Sequence, residues 1–281
     1  MLTTFSAEHP VPRSWRLAVI LAPLAVAIVV LLVHGPIPQS LAYHNFADHR
    51  SWLGVPNAGN VFSNAFFLFA GVLGLRFLGG RRSRRAFLDP RERAAWIVFF
   101  AGVTLTAVGS SWYHLAPSND RLFWDRLPMT LAFMSLFAAV ITERLGGPLG
   151  LRLLWPLLGL GVASVLSWRL SEQAGRGDAR LYGIVEFYPL VAIPLLILLY
   201  SPRYTGTGFL WGVAGLYAVA LLFEILDGPI LWRTGLVSGH SLKHLAAASG
   251  CALLVPMLSK RLPWPQADST GRNHAAQVQP G

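Results

Sequence analysis

The sequence has few charged residues and almost no cysteine. Asp, Glu, Lys and Arg make up 13% of the 281 residues, against roughly 25% in an ordinary soluble domain. Cys251 is the only cysteine, so the chain has no intramolecular disulfide and no cysteine-rich zinc site. No motif for binding RNA or DNA accompanies the excess of 23 basic over 13 acidic residues. We therefore expect no nucleic-acid partner.

Hydrophobic residues take the place of the missing charges. They form 54% of the chain, and the mean hydropathy is +0.50. Many apolar stretches approach the ~20 residues that a helix needs to cross a bilayer. The sequence therefore predicts an all-α fold, a polytopic membrane helix bundle. The predicted spans lie at about 16–33, 58–79, 94–114, 124–143, 151–168, 181–200, 208–227 and 240–258.

Basic residues concentrate on one side of the predicted spans. The connection between the second and third spans alone carries seven arginines between Arg76 and Arg93. Cytoplasmic loops are enriched in Lys and Arg, and the bias is most reliable in short connections such as this one. We therefore predict an integral, multi-pass membrane protein with both termini in the cytoplasm.

The two ends of the chain differ from its middle. Arg13 and Arg16 followed by Leu17–Val33 predict a membrane helix, with a signal peptide cleaved near Ser40-Leu41-Ala42 as the alternative. The polar tail has too few apolar residues to bury a core and is expected to be disordered. The predicted organisation is an N-terminal segment at 1–40, a membrane domain at 41–262 and a tail at 263–281.

Three histidines are predicted to meet at one depth in the membrane. His240 and His244 are four residues apart at the start of the last span, so they project from one helix face. His114 ends the third span, and helix parity brings it to the same leaflet, the outer one in the predicted orientation. Three nitrogen ligands leave one position of a tetrahedral zinc ion open, as in catalytic zinc sites. We therefore predict Zn²⁺ as a cofactor.

Two further polar residues belong to the same predicted depth. Asp125 opens the fourth span, either as a carboxylate facing the metal or as a charge that caps the helix. Ser110 lies one turn before His114, where its hydroxyl either faces the metal or bonds back to its own helix. Pro128 suits the first turn of the helix that Asp125 opens.

Other candidates surround these residues. Glu186, Glu224 and Asp227 are expected either to orient the histidines through their second ring nitrogens or to line a proton or ion path. Asp48, Asn57 and Asn60 precede or begin the second span. The asparagines suit helix capping, and oxygen ligands at these positions could hold a hard cation such as Ca²⁺.

At these residues the chain resembles the alkaline ceramidases and the wider superfamily of seven-helix membrane hydrolases that includes the adiponectin and progestin receptors. The resemblance covers about residues 45–258 and implies a seven-helix core with one extra N-terminal helix. It also implies zinc held by the three histidines, Ser110 assisting the oxyanion, and Asp125 contacting the zinc-bound water. The matching segments are Asn60-Val61-Phe62-Ser63-Asn64, Gly109-Ser110 through His114, Asp125-Arg126-Leu127-Pro128-Met129, and His240-x-x-x-His244.

The chain departs from the family pattern at two points. The stretch before the first core helix offers chiefly Asp48, with Asn57 where the family has a glutamate, which puts Ca²⁺ in doubt. Cys251 stands where the family has a serine beyond the two-histidine motif. These departures bear on the substrate more than on the type of reaction.

The predicted function is a zinc-dependent amidohydrolase that cleaves the N-acyl amide of ceramide or a related membrane lipid in the outer leaflet. One alternative is a seven-helix receptor or sensor with a structural zinc. Another is a proton-coupled transporter or an electron carrier, although two histidines on one helix face do not suit axial haem ligation. The sequence makes no prediction of the oligomeric state.

Overall fold

The computed structural model describes residues 14–264, which contain ten α-helices and no β-strand. The predicted all-α fold is confirmed. Short 3₁₀ turns at Leu41–His44, Arg81–Ala86 and Pro90–Glu92 join some of the helices. The helices are α1 Ser14–His34, α2 Ala58–Phe62, α3 Ala65–Gly79, α4 Arg93–Leu115, α5 Asn119–Arg144, α6 Gly147–Gln173, α7 Arg180–Leu199, α8 Thr207–Ile225, α9 Asp227–Thr234 and α10 Gly239–Lys260.

Within residues 14–264, eight segments are long and apolar enough to cross a membrane, as the hydropathy pattern predicts. The second segment, Ala58–Gly79, consists of α2 and α3, which are separated by a break at Ser63 and Asn64. The short helix α9 follows α8 and is not a span. By length and composition, the chain is therefore a multi-pass membrane helix bundle.

Helix α5 begins earlier than predicted, which corrects the positions of Asp125 and Pro128. Ser118 caps the helix, because its side chain accepts a hydrogen bond from the backbone N–H of Arg121. Asp125 and Pro128 consequently lie inside α5 rather than in its first turn. Capping is therefore not the role of Asp125.

Helices α4 and α5 approach each other closely beside Pro128. Pro128 has no N–H, so the carbonyl of Trp124 loses its partner within the helix. The backbone of Gly109 packs against that carbonyl, and a Cβ at position 109 would lie 2.0 Å from the Trp124 oxygen. The missing side chain thus lets α4 and α5 touch next to Ser110.

Helix α1 lies outside the rest of the bundle and packs on α7. The Tyr188 hydroxyl donates to the Ile20 carbonyl at 3.2 Å. The Arg180 guanidinium donates to the Leu31 carbonyl at 2.7 Å. Ile20 is the only buried residue of α1. The predicted extra helix is therefore an appendage to the core, and the predicted disorder of the tail falls mostly on residues 265–281, outside the described residues.

The bundle has two polar ends. The histidine end contains His114, His240 and His244, where α4 finishes and α10 starts. The arginine end contains the pairs Arg261–Glu143 and Arg203–Glu92. Most of the aromatic and aliphatic core lies between these ends.

Candidate metal centre

The three predicted histidines form one buried cluster. One ring nitrogen from each of His114, His240 and His244 lies within 4.8 Å of the other two. The side chains are almost completely buried, with 1%, 3% and 5% of their surface exposed. His240 and His244 share a face of α10, and the last turn of α4 brings His114 to them. Among the described residues, this is the one cluster of His, Cys, Asp and Glu side chains that could hold a metal ion.

Hydrogen bonds at the second ring nitrogens orient two of these rings. Nδ1 of His240 lies 2.7 Å from Oε2 of Glu224. Because a carboxylate can only accept, that nitrogen carries the hydrogen and Nε2 keeps a lone pair. Nδ1 of His244 lies 2.7 Å from Oγ of Ser63, whose own hydrogen is donated to the Asn60 carbonyl at 3.0 Å. His244 therefore also has its lone pair on Nε2.

The cluster fits a metal ion that prefers nitrogen ligands. Nε2 of His240 and Nε2 of His114 lie 3.2 Å apart. Two nitrogens bound tetrahedrally to zinc at about 2.0–2.1 Å are expected to be about 3.3–3.4 Å apart. Nδ1 of His114 is buried without a hydrogen-bond partner. Three ring nitrogens that face one another without an opposite charge fit a cation bound between them.

Ser110 and Asp125 lie next to each other, with Ser110 one turn before His114 on α4. The Ser110 hydroxyl lies within hydrogen-bonding reach of the Asp125 carboxyl, and both side chains are buried. Ser110 makes no hydrogen bond to its own helix, unlike Thr106 on the same helix, which donates to the Gly102 carbonyl. The Ser110 hydroxyl therefore faces the Asp125 carboxyl rather than a carbonyl of its own helix.

Glu186 and Asp227 do not bond to the histidine rings. Asp227 accepts instead from the backbone N–H of His240 and of Ala47, each at 2.8 Å. It thus holds the first turn of α10 in place through the main chain. Glu186 lies beside the hydroxyl of Tyr182, one turn away on α7. Of the three predicted orienting carboxylates, Glu224 alone reaches an imidazole.

Asp48, Asn57 and Asn60 each make hydrogen bonds to other residues of the chain. Both carboxylate oxygens of Asp48 bind Arg50, whose hydrogen bonds hold the pKa of Asp48 below its ordinary value. The Asn57 amide donates to the His114 carbonyl at 2.8 Å. Oδ1 of Asn60 accepts from Ser241 at 3.0 Å. Oxygens of Asp48 and Asn60 thus already accept hydrogen bonds from other side chains, and Ca²⁺ at these positions stays a prediction.

The segment before the second span covers the cluster, a placement that the sequence did not predict. We call residues 41–57 the roof segment. The Phe46 ring lies 4.7 Å from the His114 ring and 4.3 Å from the His240 ring, measured between centroids. Both ring nitrogens of His44 are bonded at 2.8 Å, to the Tyr113 hydroxyl and to Oδ1 of Asn119. No sequence pattern predicts these contacts, because they join residues that are far apart along the chain.

Sequence reasoning also gave no role to Lys243. Its ammonium lies 3.1 Å from Oε2 of Glu224, the oxygen that also binds His240. A charged residue inside a predicted span is the signal that could have drawn attention to it.

Neither a scan against models of known protein families nor a search of curated proteins finds a match to this chain.

Proposed function

We propose that the chain is a zinc-dependent membrane amidohydrolase that cleaves the N-acyl amide bond of ceramide or a related lipid. The observation that carries the proposal is the cluster of three inward-facing Nε2 atoms with Ser110 and Asp125 beside it. Three neutral imidazoles and an open position suit zinc acting in catalysis. The buried carboxyl and hydroxyl supply the acid–base and hydrogen-bonding groups that amide hydrolysis needs.

Zinc, when bound to the three histidines, would polarise the amide carbonyl and make a water acidic enough to attack near neutral pH. Asp125 takes a proton from the attacking water as the new C–O bond forms. It then returns that proton to the leaving nitrogen as the C–N bond breaks, which releases a fatty acid and an amine. Ser110 donates a hydrogen bond to the carbonyl oxygen, and this bond strengthens as negative charge develops there.

The surroundings of the cluster support a lipid substrate. The roof segment covers the histidines and limits access for bulk water. Helices α7 and α8 touch at few points, so we place the entry of an acyl chain from the membrane between them. With the arginine-rich connection placed in the cytoplasm, the histidine end opens toward the outer leaflet.

The test compares Asp125→Asn with Asp120→Asn in the same detergent preparation. Both changes replace a carboxylate by an amide on α5, but Asp120 is exposed and paired with Arg169. Zinc content and hydrolysis of a short-chain fluorescent ceramide are measured for each protein. Asp125→Asn should keep its zinc and lose about 10²–10⁴-fold in turnover. Asp120→Asn should behave as the wild type.

Ser110→Ala provides a second, graded test of the same site. It should retain zinc and lose turnover on the order of 10²–10³-fold, which is typical of removing one oxyanion donor. Wild-type turnover by Asp125→Asn would show that another group accepts the proton. A zinc-loaded wild type that hydrolyses no N-acyl lipid would favour the receptor alternative, which keeps the metal without the reaction.

A further inference from the structure

The connection between α3 and α4 begins with a dense group of arginines at the arginine end of the bundle. Four of the six residues in the 3₁₀ turn Arg81–Ala86 are arginines, and we call this segment the arginine turn. Gly79 ends α3 and with it a candidate membrane span, so the turn starts two residues beyond that span. The arginine turn therefore lies at the membrane surface, at the end opposite the three histidines. The proposed hydrolysis gives it no role.

The period of the arginine turn separates buried from exposed side chains. A 3₁₀ helix has three residues per turn, so residues three apart lie one above the other. Ser83 and Ala86 form an inner row, with 0% and 6% of their surface exposed. Within each outer row, two arginines lie about 6 Å apart along the axis, so both can reach one anionic group. The outer rows are Arg81 with Arg84 and Arg82 with Arg85, all exposed.

Hydrogen bonds hold the arginine turn in a fixed position. The Ser83 hydroxyl donates to the carbonyls of Leu78 and Gly80, at 2.7 Å and 2.8 Å. The Ala86 carbonyl accepts from Nε of Arg261, at the end of α10, at 2.7 Å. Orienting a chain in the membrane needs positive charge in a connection but no particular conformation. A fixed set of charges in addition lowers the entropy that ligand binding must offset.

The positive charges of the arginine turn are not neutralised by the protein. Within residues 14–264, none of its four arginines makes an ion pair. The carboxylates at the same end of the described chain each bind another arginine, so the turn is available to an anionic partner outside the chain. These pairs are Asp89 with Arg91, Glu92 with Arg203, and Glu143 with Arg261.

We propose that the arginine turn binds the headgroup phosphates of anionic phospholipids in the adjacent leaflet. A guanidinium can donate to two phosphate oxygens at once, which suits arginine to this ligand. Each basic residue near an anionic membrane surface strengthens binding about fivefold, so four arginines make a substantial site. The predicted orientation places the turn at the cytoplasmic leaflet, whose surface carries negative charge.

Lipid binding by the whole protein in a nonionic detergent tests this site. Phosphatidylglycerol and phosphatidylcholine with identical acyl chains, labelled on one chain with the same fluorophore, are titrated separately, and fluorescence anisotropy gives the two affinities. Both lipids contain a phosphate, but choline cancels its charge. In roughly 0.05 M salt we expect phosphatidylglycerol to bind about 10- to 100-fold more tightly. Most of this preference should disappear at roughly 0.5 M salt, because salt screens exposed charges.

Double variants assign the preference to the arginine turn. Arg81→Gln with Arg84→Gln removes one outer row and should weaken phosphatidylglycerol binding about 5- to 30-fold, with phosphatidylcholine binding unchanged. Lysine at the same two positions keeps the charge and should weaken it less than about threefold. Arg176→Gln with Arg233→Gln removes two exposed arginines from the histidine end and should bind both lipids as the wild type does.

Thermal unfolding gives a second measurement on the same proteins. A ligand that binds only the folded state stabilises it, so phosphatidylglycerol should raise the unfolding temperature of the wild type more than phosphatidylcholine does. A variant with glutamine at all four arginine positions of the turn should lose this difference. Its unfolding temperature without lipid should match that of the wild type, because the four side chains are exposed and unpaired.

Three results would overturn the lipid site. They are equal affinity of the wild type for the two lipids, a preference that survives in the four-glutamine variant, and a loss in the histidine-end control as large as that in the Arg81 and Arg84 variant. Neither measurement depends on zinc or on hydrolysis. Failure of the amidohydrolase proposal would therefore leave the lipid site intact.

Discussion

The two polar ends of the bundle bury similar numbers of ionisable groups but pair them differently. At the arginine end, Arg261 binds Glu143 at 2.6 Å and Arg203 binds Glu92 at 2.9 Å, so each of these charges meets an opposite charge. At the histidine end, three imidazoles each turn a ring nitrogen toward the other two. A buried group needs a partner. The charges of these two pairs have partners within the chain, whereas the inner nitrogens of the three imidazoles lack a partner that a metal ion would provide.

The two ends also differ in what their polar groups hold together. The Arg261 guanidinium donates to the Ala86 carbonyl, and the Tyr204 hydroxyl donates to Glu92. The first bond ties the end of α10 to the connection that follows α3, and the second joins the connection before α8 to the one before α4. Glu224 and Ser63 instead bind the outer nitrogens of histidine rings and fix where the inner nitrogens point. The bonds at the arginine end hold parts of the fold together, whereas the bonds at the histidine end orient side chains around a candidate metal site.

The largest effect should come from removing a histidine. His240→Ala or His244→Ala should reduce the zinc content from about one ion per chain to a small fraction of that, because two nitrogen ligands do not retain the metal. Hydrolysis should be lost completely. Metal analysis of purified protein measures this. His49→Ala removes an exposed histidine from the same end and serves as the control. Full zinc occupancy in both cluster variants would refute the ligand assignment.

Removing one partner of an ion pair at the arginine end should instead lower the stability of the fold and leave the zinc content unchanged. Arg261→Met leaves Glu143 buried without a partner, so unfolding should become easier by about 3–5 kcal/mol. Thermal unfolding in detergent gives the size of the loss, and zinc per folded chain should not change. Arg91→Met disrupts the exposed pair with Asp89 and should lower the free energy of unfolding far less than Arg261→Met does.

A double variant sharpens this prediction. Arg261→Met combined with Glu143→Gln removes both charges, so it should recover part of the lost stability. A double variant less stable than Arg261→Met would indicate that Glu143 stabilises the bundle through other contacts.

Changes to the residues that orient the histidines should have intermediate effects on metal affinity. Glu224→Gln and Ser63→Ala should each weaken zinc binding by roughly 10- to 100-fold, which is typical of losing the hydrogen bond at the outer nitrogen of a ligand. Competition with a chelator of known affinity measures the change. Ser249→Ala removes a hydroxyl that bonds only to its own helix and is the control. Unchanged affinity in both variants would mean that packing alone orients the rings.

The hydropathy pattern was enough to predict the membrane spans. The alternating direction of successive spans was enough to predict that the three histidines lie at the same end of the bundle. The start of α5 could not be found in this way, because its first turn contains the polar residues Asn119, Asp120 and Arg121, which resemble a loop. Asp227 was expected at a ring nitrogen but binds a backbone N–H, a choice that depends on the exact placement of α9.

The roof segment was missed for a different reason. Phe46 belongs to a connection without regular periodicity, and its contacts with His114 and His240 cross about 70 to 190 positions along the chain. Single-sequence patterns report local preference and burial, so they do not specify long-range pairs.

The least disruptive experiment determines which end faces the cytoplasm. Single cysteines replace Asp120 at the histidine end and Arg84 at the arginine end, both exposed, in a Cys251→Ala background. An impermeant maleimide should label Asp120→Cys from outside intact cells and Arg84→Cys only after permeabilisation, with no effect on zinc content. Labelling of both from the same side would contradict the predicted orientation.

The packing of Gly109 between α4 and α5 determines how close Ser110 and Asp125 can lie. Any side chain there would collide with the Trp124 carbonyl and force α4 away from α5. Ser110, the next residue, would move with α4, and Asp125, next to Trp124, would stay with α5. The width of the gap between the hydroxyl and the carboxyl is thus set by a single hydrogen atom on Gly109. Gly109→Ala should therefore widen this gap and weaken the proposed hydrolysis, although both Ser110 and Asp125 remain in the chain.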